Sequence, residues 1–211
     1  MKDSEPKNIA LFSKSKQNMK SIDEPLPWMK IAIKIINLHK RNKLHNIIKG
    51  LHMNVYMGHI TVLLSPNLIN VITILQILTG MVQASYGKII VQGTNVLQYS
   101  NKFKQLLGFS IDVNALFNSL SVKEHLMFFS ILRGMTVKKA KHETFNLITF
   151  LNLQNQASCT PGMLSLGIRK RLCLAISLIG DPEFLILNQP TEHVDSESTK
   201  QLRDKIIVMV L

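Results

Sequence analysis

A helix that is apolar all round, followed at once by a strand that is apolar on both faces, constrains this chain more than any other feature. "LSLGIRKRLCLAISLIGDP" opens on Ser165 as a cap, turns wholly apolar after Leu172 and stops at Gly180 and Pro182. A helix without a polar side must be covered on every side. The next run, "EFLILN", is a short apolar strand of the kind covered on both faces in a parallel sheet. A buried helix feeding a doubly covered strand implies a layered α/β fold, and 211 residues with 46% apolar side chains supply a sizeable core for one domain, with or without a small insertion.

The rest of the chain fits around that layer. Residues 1–28, "MKDSEPKNIALFSKSKQNMKSIDEPLPW", are rich in Lys, Ser, Asp and Pro and read as a disordered linker, with the domain occupying 29–211. "KIAIKIIN", "IIKGLHMNVY", "ITVLL" and "GKIIVQG" read as strands, so the early part is β-rich. After Asn101 the period lengthens. "SVKEHLMFFSILRG" carries a capping box in Ser121 and Glu124, with Val122, Leu126, Phe129 and Leu132 on one helical face and Gly134 as a stop. "TVKKAKHETFNLITFLNL" predicts a second helix, capped by Thr136, with Val137, Ala140, Leu147 and Leu151 inward and polar Thr144 interrupting the stripe. A last helix runs from about Ser196 to Leu211, and no repeat of 20–50 residues is visible.

Composition removes several classes of function. The formal charge of +12 suits nucleic acid, an anionic membrane surface, acidic partners or simply a solvated basic face. No aromatic-rich basic strand, zinc spacing or helix-turn-helix pattern accompanies it, so no nucleic-acid partner is expected. Cys159 and Cys173 form neither a disulfide framework nor a metal site, which suits a reducing compartment. The longest apolar runs, such as "LCLAISLI", fall short of the ~20 residues that cross a bilayer, and no transmembrane segment is expected.

One strand-loop-helix stretch, "LLSPNLINVIT", has the setting of a phosphate-binding loop without its glycines or lysine. Its surroundings explain why that matters. "YMGHITVLL" resembles the Y-E-G-Q-I-T-A-L-L of the A subfamily of ATP-binding cassette (ABC) transporters, "ILTGMVQASYGKIIVQG" its I-L-T-G-x-x-x-x-x-S-G-x-x-x-x-x-G, and "LFNSLSVKEHLMFFSILRG" its L-F-x-x-L-T-V-x-E-H-L-x-F-Y-A-x-L-K-G. "LSLGIRKRLCLAISLIGDPEFLILNQPTEHVD" resembles its L-S-G-G-M-x-R-K-L-S-x-A-I-A-x-x-G-x-x-x-x-x-I-L-D-E-P-T-S-G-x-D. The similarity covers about residues 30–211. It implies an ABC-type ATPase domain: a RecA-like core, an antiparallel β subdomain, and an inserted helical subdomain near 115–165 that docks on the coupling helices of transmembrane domains.

The family's phosphate loop reads G-x-N-G-A-G-K-[ST]-T. Ser65, Leu68 and Asn70 stand where its glycines would be, Val71 at its lysine and Ile72 at its magnesium-binding hydroxyl, and only Asn67 and Thr73 match. A γ-branched Leu68 obstructs a nest of inward N–H groups, and Pro66 has no N–H to contribute. Val71 cannot neutralise phosphate charge, and Ile72 offers Mg²⁺ no oxygen. The other stations implied by the resemblance differ as well. Asp112 aligns with the Gln that reaches metal and attacking water, Asn188 with the metal-positioning Asp, and Gln189 with the general-base Glu. An amide cannot accept a proton at neutral pH. The adenine-stacking aromatic falls near Asn42, and the switch histidine falls beyond Leu211.

The signature for a partner's site is better kept. "LSLG" retains Ser165 and Gly167 of L-S-G-G, which in the family caps the γ-phosphate held by the opposite domain of a head-to-tail pair; Leu166 replaces the first glycine. Asp195 fits the loop at the dimer seam. Without the family context, Ser165 reads first as a helix N-cap. ATP and Mg enter only through the resemblance, which also implies a second nucleotide-binding domain and transmembrane domains as partners, and a place at the cytosolic face of a membrane. The leading expectation is a catalytically inactive, C-terminally incomplete domain of a lipid transporter, supporting a competent partner. An ordinary ATPase of the same family and a non-functional partial gene product are the alternatives.

Overall fold

The computed structural model describes residues 10–11, 30–42, 45–97, 100–110, 112–192 and 194–210. Of the linker expected over 1–28, all but Ala10 and Leu11 lies outside these residues. The chain divides into two compact units, one ending at Lys104 and the other beginning at Gln105.

In the first unit, β1 (Ala10–Leu11) pairs in parallel with β4 (Leu63–Leu64). A separate antiparallel sheet has the order β3-β2-β5-β6, formed by β2 (Ile31–Arg41), β3 (Asn46–Tyr56), β5 (Tyr86–Val91) and β6 (Thr94–Asn95). Ile33, Ile35, Leu38, Ile48, Leu51, Ile89 and Val91 are buried along it. Strict alternation from Ile33 and Ile35 would bury residue 37, not Leu38. The register shift between Ile35 and Leu38, with Asn37 at φ 47°, inserts the extra residue that turns Leu38 inward. Gly87 of β5 lies across this bulge at φ 112°, and a Cβ there would stand 2.5 Å from the Asn37 carbonyl oxygen. Only glycine fits.

Helix α1 (Leu68–Leu78) follows β4 and lies against β3, burying Thr73, Ile74, Ile77 and Leu78. The strand expected over "ITVLL" is reduced to Leu63–Leu64, and the two-residue β6 was not foreseen.

Helix α2 (Ser100–Leu106) crosses the division between the units. In the second unit, β7 (Leu107–Phe109) pairs in parallel with β8 (Phe184–Ile186), joining Leu107 to Phe184 and Phe109 to Ile186. Between them lie α3 (Val122–Leu132), α4 (Val137–Phe150) and α5 (Leu166–Leu178), and α6 (Ser196–Val210) follows β8. Val122, Leu126, Leu151, Leu153, Leu172, Leu174, Ile179 and Leu202 share one apolar core. The unbroken apolar run of α5 is buried from Leu172 to Ser177, as its composition requires.

Two inward assignments are corrected. Leu132 is 69% exposed and Val137 is 57% exposed. The inner face of α3 runs through Val122, His125, Leu126 and Ser130, at helical spacings of three and four, and Leu132 falls outside that arc. Val137 is the first residue of α4, and the inner stripe begins one turn later at Ala140.

Candidate functional site

The phosphate-loop positions lie at the junction of β4 and α1. Asn67 caps α1, its side-chain oxygen accepting from the Ile69 N–H at 3.0 Å, while its own N–H donates to the Ser65 hydroxyl at 3.2 Å. The Asn70 N–H donates to the Asn67 carbonyl at 3.1 Å. Thr73 is buried, and its hydroxyl donates to the Ile69 carbonyl at 2.6 Å. These donors, which a phosphate nest would aim at its ligand, are engaged within the chain.

The backbone agrees with the side chains. Between Gly58 and Gly80 no residue has positive φ, so the alternating left-handed residues of a nest are missing. Leu68 and Ile69 are 49% and 60% exposed, covering the helix start with apolar surface. Val71 and Ile72 are half-buried and bring neither charge nor oxygen. These residues do not fit a magnesium-bound nucleoside triphosphate.

Asn42 lies at the turn between β2 and β3, its N–H donating to the His45 carbonyl at 2.9 Å. The position carries no ring. The described ring pair on that sheet is His39 with Tyr86, edge to face at 6.0 Å.

The remaining stations lie in the second unit. Asp112 caps a short turn, Val113–Ala115, its carboxylate accepting from the Asn114 N–H at 2.8 Å. Asn188 and Gln189 follow β8 by two and three residues, because the strand stops at Ile186 and not at Asn188 as expected. Gln189 has φ 46°, and its carbonyl accepts from the Lys170 ammonium at 2.8 Å. This tether between α5 and the base position was not foreseen; the basic run Arg169 to Arg171 was its only signal.

Ser165 is the exposed N-cap of α5, its hydroxyl accepting from the Ile168 N–H at 3.4 Å. Gly167 is buried beneath the start of α6: a Cβ there would stand 2.7 Å from the Ser198 hydroxyl oxygen and 3.5 Å from an Asp195 carboxylate oxygen. Asp195 accepts from the Ser198 N–H at 2.8 Å. That backbone bond, then the Ser198 hydroxyl, hold its carboxyl below the usual range, with Arg171 adding a smaller attraction. Gly167, Asp195 and Ser198 are thus one packed unit, and Ser198 is the member the sequence did not single out.

Cys173 is buried in α5, and desolvation pushes its thiol up to about 12 despite the nearby Lys170. A thiol held neutral in this way is neither nucleophile nor ligand. Among the described residues no cluster of three His, Cys, Asp or Glu side chains could hold a metal ion, and no helix is long and apolar enough to cross a membrane.

Comparison with known proteins bears on family and fold. Residues 48–192 match the family model described as ABC transporter. The human "Phospholipid-transporting ATPase ABCA3" is 32% identical over 177 residues, and mouse "ATP-binding cassette sub-family A member 17" is 30% identical over 187. These matches cover 82% and 86% of this chain but only 10% and 11% of the relatives, so the chain spans about a tenth of their length. Among solved structures, cbiO1 from Clostridium perfringens, part of the ABC transporter complex cbiONQ, aligns with TM-score 0.75 and 22% identity over 86% of this chain and 74% of its own. The ATP-binding cassette MJ0796, as a dimer bound to ADP and Pi, aligns with TM-score 0.73 and 19% identity over 82% and 81% of the two chains.

Proposed function

We propose a function on the premise that this chain belongs to the ABC transporter family, as a nucleotide-binding domain of the A-subfamily type: it is the partner-supporting half of a pair whose other half hydrolyses ATP. Its own phosphate loop does not hold Mg·ATP, while its signature at Ser165 and Gly167 closes over nucleotide carried by a second, competent domain. The whole assembly moves lipid, with this domain at the cytosolic face of the membrane and its helical stretch near 115–165 meeting the coupling helices of transmembrane domains.

The observation that carries the reading is the state of residues 65–73. No residue there has positive φ, the Asn67, Ile69 and Asn70 N–H groups are bonded within the chain, and Leu68 and Ile69 cover the helix start. The partial positive end of α1 is worth ~0.3–1 kcal/mol to an anion, while burying phosphate charge without a partner costs several kcal/mol per group. The second term wins. The preserved capping geometry at Ser165 supports the other half of the reading.

Titration calorimetry of the purified chain with Mg·ATP is expected to show no binding in the micromolar range. A dissociation constant below about 10 µM would overturn the proposal that its own site is inactive.

A further inference from the structure

His125 is the most completely buried titratable side chain among the described residues, at 0% exposure, yet nothing above gives it a task. It lies on the inner face of α3, one turn after the capping box. Its Nδ1 stands 2.8 Å from the Ser121 carbonyl, so Nδ1 must carry a hydrogen and donate. Its Nε2 lies 2.9 Å from the Phe117 backbone nitrogen, so Nε2 must be bare and accept that N–H. The two partners fix both the tautomer and the neutral state.

Phe117 is the residue this bond positions. Its ring stacks on His125 at 6.0 Å, meets Phe128 edge to face at 5.6 Å, and remains 45% exposed. It belongs to the segment from Asp112 to Leu120 that leads into α3. We infer that His125 is a proton-sensitive latch: the neutral ring fixes the Phe117 segment on α3, and a proton on Nε2 replaces the acceptor with a second donor and releases it. The inference concerns the chain alone and is independent of the proposed pairing.

The surrounding charges leave His125 as the group that switches. On α3, Glu124 is held below the usual carboxylate range by the Ser121 backbone and hydroxyl, so it stays ionised. On the 112–120 segment the only ionisable side chain is Asp112, engaged with the Asn114 N–H. α4 turns Ala140, Thr144, Leu147 and Ile148 inward; its Lys138, Lys139, Lys141 and His142 are exposed, and Glu143 accepts from the Gly180 N–H. α5 contributes the neutral Cys173 and carries the cations Arg169, Lys170 and Arg171, of which Lys170 donates to the Gln189 carbonyl; the 154–160 segment contributes Cys159, whose carbonyl accepts from the Val122 N–H. Burial pushes the His125 ring below its ordinary value, partly offset by its bond to Ser121 and by Glu124.

The sign follows. A histidine whose folded value is depressed stabilises the latched form above the free value of about 6.5, and that contribution is lost as pH falls towards the folded value. Over that window the protection of the Phe117 amide should fall about tenfold per pH unit relative to the Leu126 amide, which lies within α3.

The test is a pH titration of the ¹⁵N-labelled full chain, following the His125 ring and the Phe117 amide. Both are expected to titrate together, below 6.5, while α3 remains protected. His125→Gln keeps an acceptor but cannot titrate, so its Phe117 signal should be flat with pH. His125→Phe should leave the Phe117 amide unprotected throughout; if that variant does not fold, the glutamine variant decides. The latch is overturned if Phe117 stays protected while His125 charges, if the glutamine variant titrates like the parent, or if the ring stays neutral until α3 unfolds with it.

Discussion

Val71 stands where a lysine would neutralise phosphate charge, and a single exchange tests how much else is missing. In Val71→Lys the new ammonium would sit on the first turn of α1, still facing a loop without positive φ and a helix start covered by Leu68 and Ile69. Ile72 would still offer no oxygen to Mg²⁺. The expected calorimetric result is therefore no gain of micromolar Mg·ATP binding, and a dissociation constant below about 10 µM in this variant would show that the loop can reorganise. At this scale the sequence was informative about identity and blind to geometry. The missing lysine, hydroxyl and carboxylates can be read directly from residues 65–73, 188 and 189. That Asn67 and Ser65 tie up the neighbouring N–H groups, or that Gln189 holds φ 46° beneath Lys170, depends on backbone angles that residue types alone do not set. The same holds for His125, whose task is visible only once Phe117 is folded back upon it.

Among the elements, α3 shows both what local sequence specifies and what it leaves to packing. Its start follows from a capping box read directly from Ser121 and Glu124: the Ser121 N–H donates to the Glu124 carboxylate at 2.8 Å, and the Ser121 hydroxyl accepts from the Glu124 N–H at 3.3 Å. Its inner face was placed only in part, because Leu132 and Ser130 differ by two residues and which is covered depends on where α4 and α5 arrive. The structure buries Ser130 completely and leaves its hydroxyl without a hydrogen-bond partner, as it does that of Thr144 on α4. An orphaned buried hydroxyl costs ~1–3 kcal/mol, and serine is also the poorer helix former. Ser130→Ala is accordingly expected to stabilise the chain by about 1 kcal/mol, seen as a higher urea midpoint with unchanged slope. A lower midpoint would mean that the hydroxyl has a bond the structure does not contain. In the first unit β2, β3 and β5 were legible from their apolar runs, but β6 and the bulge at Asn37 were not: the bulge is a pairing event between β2, β3 and β5, and Gly87 is its only trace in the sequence.

For the whole molecule the proposed function sets residues 65–73, which bring neither lysine nor metal-binding hydroxyl, against Ser165 and Gly167, which match the family signature. A head-to-tail pair builds two composite sites, so under the proposed function the one that fires is the partner's phosphate loop closed by this chain's α5. Ser165 is exposed at the N-terminus of that helix, and Gly167 behind it is packed on Ser198 and Asp195, so a substitution at 165 alters the surface offered to nucleotide while leaving the packing intact. Ser165→Arg would place a bulky cation where the γ-phosphate is received and remove the helix cap, which itself costs ~1 kcal/mol. The cap loss is separable: Ser165→Ala carries it without the added bulk. In a reconstituted mixed complex, steady-state ATP turnover is expected to fall by more than about tenfold with Ser165→Arg and much less with Ser165→Ala. Asn188→Ala and Gln189→Ala should change it by less than about twofold, because neither amide can accept a proton at neutral pH or bring negative charge to a metal ion. Equal loss from the 165 and 188 variants would mean that this chain's own site contributes to turnover, and no loss from any of them would remove the chain from the working pair.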